Sequence, residues 1–324
     1  MLGCGTMLLH SYSLTLGAHA RGCRRVIGLD GCLLKELLVD DLDLGSGNGL
    51  VVISDQHKGL LGAISQQLPY VEHRQCARHI FANFRKKYTG LELKNLFWEA
   101  AKETMEGDFL AVREKIRTIT KAGYLHLMKR KPHTWCRAYF SPDFSCDALE
   151  NGISESFNSM IIHMRKKPLI TMLEEIRIYL MDSFFHQSQI LHTCRGDYGP
   201  NTLAKLAEFG KDMRLWKVIP SGGRMFETRY GYNGYKVDLD AHSCTCQLWD
   251  LAGVPCVHGQ AAINYIHRDP REYISFWFHR NGFSATYMDN IFLVGGSNLW
   301  PKTTFIEPLP PLLRRILVDQ KLTG

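Results

Sequence analysis

Residues 244–258 read CTCQLWDLAGVPCVH, and their spacing decides how the C-terminal part of the chain folds. Cys244 and Cys246 flank one residue, Cys256 and His258 flank another, and nine residues lie between the pairs. Two Cys one residue apart are poorly placed to bond each other, but two such pairs can point at a single ion. Three thiols and an imidazole around a tetrahedral zinc satisfy that spacing. The plain alternative treats the thiols as small buried hydrophobes and His258 as a core or surface histidine. It has to explain four ligand-type residues in register by chance. His242 and His267 are nearby spare ligands and rank below His258.

Working outward, RMFETRY (224–230) and YKVDL (235–239) flank Gly-Tyr-Asn-Gly and read as a hairpin running into Cys244. CVHGQAAINYIH (256–267) reads as a short helix carrying the second ligand pair. A ββα module this small builds little core, so zinc would supply much of its folding energy. The tail beyond Trp300, with EPLPPLLRR, is Pro-rich and reads as irregular.

The 324 residues are 45% hydrophobic and 22% charged, enough to bury a core and to exclude disorder by composition. Net charge is +7, with short basic runs at 85–87, 129–131 and 165–167. Each run is compatible with a solvated helix end, and together they suit an anionic partner such as nucleic acid. The ten Cys and the CxC pair favour metal-bound thiols in a reducing compartment. No uncharged apolar run is long enough to span a bilayer, and the N-terminus lacks the basic start of a secretory leader. The reading is an intracellular protein without a membrane segment.

Two short apolar stretches, Val26–Leu29 and Leu50–Ser54, read as buried strands, each followed by a carboxylate, Asp30 and Asp55. After Asp55 a long series of segments carries apolar residues at helical spacing. Further helices are expected over about 147–166 and 169–191, separated by Pro168. On the first of these, Ile153, Phe157, Met160 and Ile161 form an apolar stripe, with Asn151, Glu155 and Asn158 opposite. Such a carboxylate is usually only solvated. Asp30, Asp55 and Glu155 together, however, are what two Mg²⁺ ions about 3.5–4 Å apart need for in-line phosphoryl transfer.

VIGLDGC (26–32), VVISDQHKGLL (51–61), EHRQCARHIFANFRKK (72–87), CDALENGISESFNSMI (146–161) and RKKPLITMLEEIRIYLM (165–181) resemble the Mutator-like element transposases of plants. The Cys/His stretch, with YNGYKVDLDAHS before it, resembles the SWIM zinc finger, CxCx(n)CxH. The resemblance spans roughly 20–315. It implies an α+β fold: an RNase H-like DDE core with a large helical insertion, followed by a structural zinc finger. It also implies catalytic roles for Asp30, Asp55 and Glu155, and matches Cys76 and His79 to a family C-x-x-H element for which local packing is the expected role. DNA is the implied partner, met mainly through phosphates, with a protein partner on the finger as a further option and the nucleus as the compartment. Far-red-impaired-response regulators are similar through the same ancestry.

One departure shapes the expectation. Only 24 residues separate Asp30 from Asp55. Two strands, a helix and their connections, which an RNase H-like core places there, need about 35. The core is therefore expected to be truncated and the carboxylates vestigial. The expected organisation is 1–19 unassigned, 20–195 truncated core with its insertion over about 72–145, 196–222 linker, 223–268 finger and 269–324 extension.

Overall fold

The computed structural model describes residues 24–29, 46–56, 58–193 and 196–287, with 295, 296 and 299. The expectations for 1–19, for Asp30 and for the tail beyond Trp300 lie outside the described residues. Three strands, β1 (Val26–Leu29), β2 (Val51–Ser54) and β3 (Glu72–Gln75), form a parallel sheet in that order, with α1 (Lys58–Gln67) crossing between β2 and β3. All four residues of β2 are buried, as expected of a central parallel strand. Ile64 and Leu68 cover it against Leu50 and Val52.

The third strand has no apolar signature, and its residues open the stretch read as the helical insertion. The structure places 72–75 in the sheet, ahead of the helices. Side-chain pairing explains how so polar a strand is held. His73 Nε2 lies 2.7 Å from Ser54 Oγ on β2, and Gln75 Oε1 accepts from Gln56 at 3.0 Å. Arg74 is buried. It donates to Glu72 at 2.7 Å and to the Cys146 carbonyl at 2.6 Å, and its guanidinium lies 3.9 Å from the Phe140 ring centre. Burial holds the His73 imidazole below its usual pKa.

Helices α2 (Ala77–Arg85), α3 (Leu91–Lys102), α4 (Glu106–Ile119) and α5 (Lys121–Met128) build the largest apolar cluster. Its centre is Trp135, stacked on Phe97 (5.4 Å, 14°) with Phe109 edge-on (6.1 Å, 75°). The helix expected over 147–166 is shorter: α6 spans Gly152–Met160, and a 3-10 turn covers Met164–Lys166. Its expected apolar stripe does not face a core, since Ile153 is 68% and Met160 45% exposed, although Ile161 is buried. The polar side turns inward instead. Asn151, at the N-cap, is buried and donates to the Leu29 carbonyl at 2.8 Å. Gly28 makes room for this approach, because a Cβ there would collide with Asn151 Oδ1. The long helix α7 (Leu169–Thr193) follows Pro168, and α8 (Pro200–Phe209) follows it.

The second sheet is antiparallel, in the order β4 (Lys217–Gly222), β5 (Met225–Tyr230), β6 (Asn233–Asp238), β7 (Ser243–Cys244). The expected hairpin is β5–β6. The sheet is larger than a two-stranded unit because β4, in the stretch read as linker, pairs along β5. Pro220 sits in β4, an edge strand, where a missing N–H is tolerated. Two short helices, α9 (Leu248–Ala252) and α10 (Val257–Tyr265), complete this module, and α11 (Arg280–Tyr287) follows it. Leu251 of α9 is buried in the Trp135 cluster, so this module docks on the helical layer.

Candidate metal centre

Cys244 ends β7, Cys246 follows in the turn, Cys256 caps α10, and His258 lies in its first turn. All four side chains are buried, and their ligand atoms lie within 4.8 Å of one another. His258 Nδ1 is 3.6 Å from Cys244 Sγ and 3.7 Å from Cys256 Sγ. Metal–sulfur and metal–nitrogen lengths of about 2.3 and 2.05 Å at a tetrahedral angle give an S···N edge of about 3.6 Å. The cluster therefore fits zinc without rearrangement of those two edges. Of the two ring nitrogens, Nδ1 is the one these distances place beside the thiols, a choice the sequence left open.

Local contacts hold each ligand. Gln247 N donates to the Cys244 carbonyl at 2.7 Å, closing the first turn. Asp250 Oδ2 accepts from Cys244 N at 3.1 Å. Gly259 N donates to Cys256 Sγ at 3.4 Å, and Gly259 has no Cβ because the Trp249 ring occupies that space. The His258 ring lies between Tyr235, stacked at 4.1 Å, and Trp216, edge-on at 4.2 Å. His242 stacks over Trp249 instead, and neither it nor His267 enters the cluster. Among the thiols, Cys246 is held well below the usual range, first by hydrogen bonding from Cys244 and then from Cys256. Sharing its proton with Cys246 raises Cys244, and burial raises Cys256. Metal capture must then displace the protons that remain on sulfur.

The second gathering of ligand-type residues lies at the C-terminal edge of the parallel sheet. Asp55 and Cys76 directly follow the paired ends Ser54 and Gln75 of β2 and β3. Asp30 directly follows β1 in the chain and lies outside the described residues. Helix α6 crosses the edge, with Asn151 N donating to Cys76 Sγ at 3.4 Å. Glu155 comes within 4.8 Å of Cys76 and of His79 on α2. Arg78 Nη1 donates to Glu155 Oε2 at 2.5 Å, and its other amino group donates to Glu150. Glu155 is thus a half-buried residue turned towards the sheet edge.

Residues 235–267 match the SWIM zinc finger family, and residues 31–102 match the family described as Transposase, Mutator family. The chain thus carries a segment similar to Mutator-family transposases and, after it, one similar to the SWIM zinc finger. No curated protein and no solved structure matches it. The SWIM match contains all four ligands. The transposase match contains Asp55, Cys76 and His79, while Asp30 and Glu155 fall outside its limits.

Several residues that build the SWIM site carried no signal. Trp216 and Tyr235 clamp the imidazole from sequence positions well before the ligands. Thr104, between α3 and α4, donates to the Cys246 carbonyl at 2.6 Å and so fixes the ligand turn from outside the finger. Gln260 Nε2 donates to the Leu206 and Pro255 carbonyls, both at 2.9 Å, tying α10 to α8. Aromatic and polar residues at such separations have no shared local pattern that could have flagged them.

Proposed function

We propose that this is a transposase-derived, zinc-stabilised nuclear protein that associates with DNA and whose DDE core does not catalyse strand cleavage. The observation that carries the zinc part is the buried Cys244, Cys246, Cys256 and His258 cluster at metal-binding separations. Four protein ligands leave no open position, so the ion's role is to hold the fold. In this reading β1–β3 are the parallel half of an RNase H-like core. Only 21 residues, 30–50, join β1 to its immediate parallel neighbour β2. That length cannot hold the antiparallel strands and crossover helix that complete such a core. Asp30, Asp55 and Glu155 are then vestigial.

The DNA part rests on exposed charge. Residues 85–87, Lys129, Lys131 and 165–167 are exposed beside helix ends. They complement helix dipoles there and also present cations to a phosphate backbone. Binding of the full chain to a duplex of about 30 base pairs tests this reading. We expect log K to fall linearly with log salt, with a slope of roughly −0.9 per phosphate neutralised. Neutralising Lys86 and Lys87 should flatten that slope. Absence of binding at low salt would sink the DNA assignment.

The alternative, an active Mutator-like transposase cutting and joining DNA with Mg²⁺, is favoured by one observation: Asp55 and Glu155 both belong to the C-terminal edge of the parallel sheet. It requires metal-dependent nicking or strand transfer that Asp55→Asn and Glu155→Gln abolish. A regulatory role like that of the far-red-impaired-response proteins would instead need a defined promoter site or a protein partner on the finger.

A further inference from the structure

We propose that Cys76, His79 and Glu155 form a second metal site, one that takes a zinc-class divalent ion through one thiolate, one imidazole and one carboxylate. The inference goes beyond the reading above and stands whether or not the finger holds zinc. It starts from backbone geometry. Cys76 is buried at the end of β3 and caps α2, and His79 follows three residues later, on the same helical face. Glu155 arrives from α6, far away in sequence. Two hydrogen bonds lock the segments together: Ala77 N to the Leu149 carbonyl at 2.8 Å, and Asn151 N to Cys76 Sγ at 3.4 Å. The three potential ligand atoms lie within 4.8 Å of one another. An ion would draw them in to about 3.5 Å, a movement of about 1 Å for side chains on helix ends.

An independent sign of a ligand is His79 itself. Its Nδ1 is buried and has no hydrogen-bond partner among the described residues. A buried ring nitrogen without a partner is destabilising, and coordination through Nδ1 itself would supply the missing partner. The local charge also suits a dication. Arg78 lies between Glu150 and Glu155, taking one oxygen of Glu155 and leaving the carboxylate a second. With Cys76 as thiolate, the two carboxylates and the one guanidinium leave a formal charge of −2 around the site. Sulfur and imidazole donors select a zinc-class ion over Mg²⁺. Three protein ligands leave a fourth position for water or an anion, unlike the closed finger. A Glu155 held this way is diverted from any Mg²⁺ pair at Asp55.

The test is metal stoichiometry on the full chain, purified with zinc and dialysed against metal-free buffer without chelator. Elemental analysis should return two equivalents per chain. His79→Asn and Glu155→Gln, both at partly exposed positions that tolerate change better than buried Cys76, should each return one. Cys256→Ser should also return one, by losing the other ion. A single equivalent that survives His79→Asn and Glu155→Gln but is lost in Cys256→Ser overturns the second site and leaves the finger intact. A single equivalent lost in His79→Asn and retained in Cys256→Ser upholds the second site and removes the finger's. Cobalt substitution gives a second readout. The wild-type minus His79→Asn difference spectrum should show the weak charge-transfer band of one thiolate, and a flat difference would overturn the proposal.

Discussion

The finger and the parallel-sheet edge both gather Cys, His or carboxylate side chains, but by opposite routes. The finger takes its four ligands from the fifteen residues 244–258, on one turn and one helix start. The sheet edge draws on the ends of β2 and β3, the first turn of α2 and the distant helix α6. The first site takes its ligands locally, with Thr104, Trp216 and Leu206 bracing it from outside the ligand segment. The second exists only if several long-range contacts are in place, and it stands beside the 21-residue connection between β1 and β2.

The sharpest way to break this comparison is Cys256→Ser. In small zinc modules metal binding supplies on the order of 10 kcal/mol of folding free energy. The substitution should therefore abolish the near-UV signal of Trp249 and Trp216 together with metal content. The helical layer should behave differently, because the apolar cluster around Trp135, Phe97 and Phe109 contains none of the finger's ligands. Trp135→Ala should cost about 3–5 kcal/mol in denaturant unfolding, and chelation should leave that value unchanged.

Asp147 ties α8 to the helical layer, with Arg137 at 3.1 Å and Lys205 at 2.8 Å. Burial alone would raise its pKa, but Arg137 and then Lys205 outweigh burial and hold it below the usual value. A depressed carboxylate stabilises the fold above its unfolded pKa of about 3.9 and loses that contribution as pH falls through the folded value. Asp147→Asn should cost about 2–3 kcal/mol near neutrality, discounted for the partial exposure of the pair. The difference from wild type should shrink in acid, and a constant difference across pH would contradict the assignment. Gly28→Ala, which pushes a methyl into Asn151, should cost about 1–2 kcal/mol and loosen α6, read as faster amide exchange at 152–160. Breaking the exposed Arg229–Glu227 pair on β5 should change stability by only about 0–1 kcal/mol.

How much of this was legible in the sequence follows the same division. The four finger ligands, the β5–β6 hairpin and the ligand-bearing helix were readable because their signals are local: spacing, a Gly-rich turn and an apolar period. The strands β1 and β2 were readable as apolar runs. Strand β3 was not, since EHRQ is held by Ser54, Gln56, Glu72 and Phe140 rather than by its own apolar pattern. β4 was hidden by Pro220 and the following glycines. On α6 the amphipathic pattern pointed the wrong way: Ile153 and Met160 face solvent, while Asn151 and Glu155 face the sheet edge. A sheet edge that collects polar groups inverts the usual rule, and no single-sequence periodicity can distinguish it from a solvated face.

Hydrogen exchange resolved along the chain, before and after zinc removal, tests the central claim most directly. If zinc holds the finger and packing holds the helical layer, amides over 217–265 should lose protection on chelation while those over 91–140 keep it. Unchanged protection over 217–265 in a zinc-free chain would contradict the account.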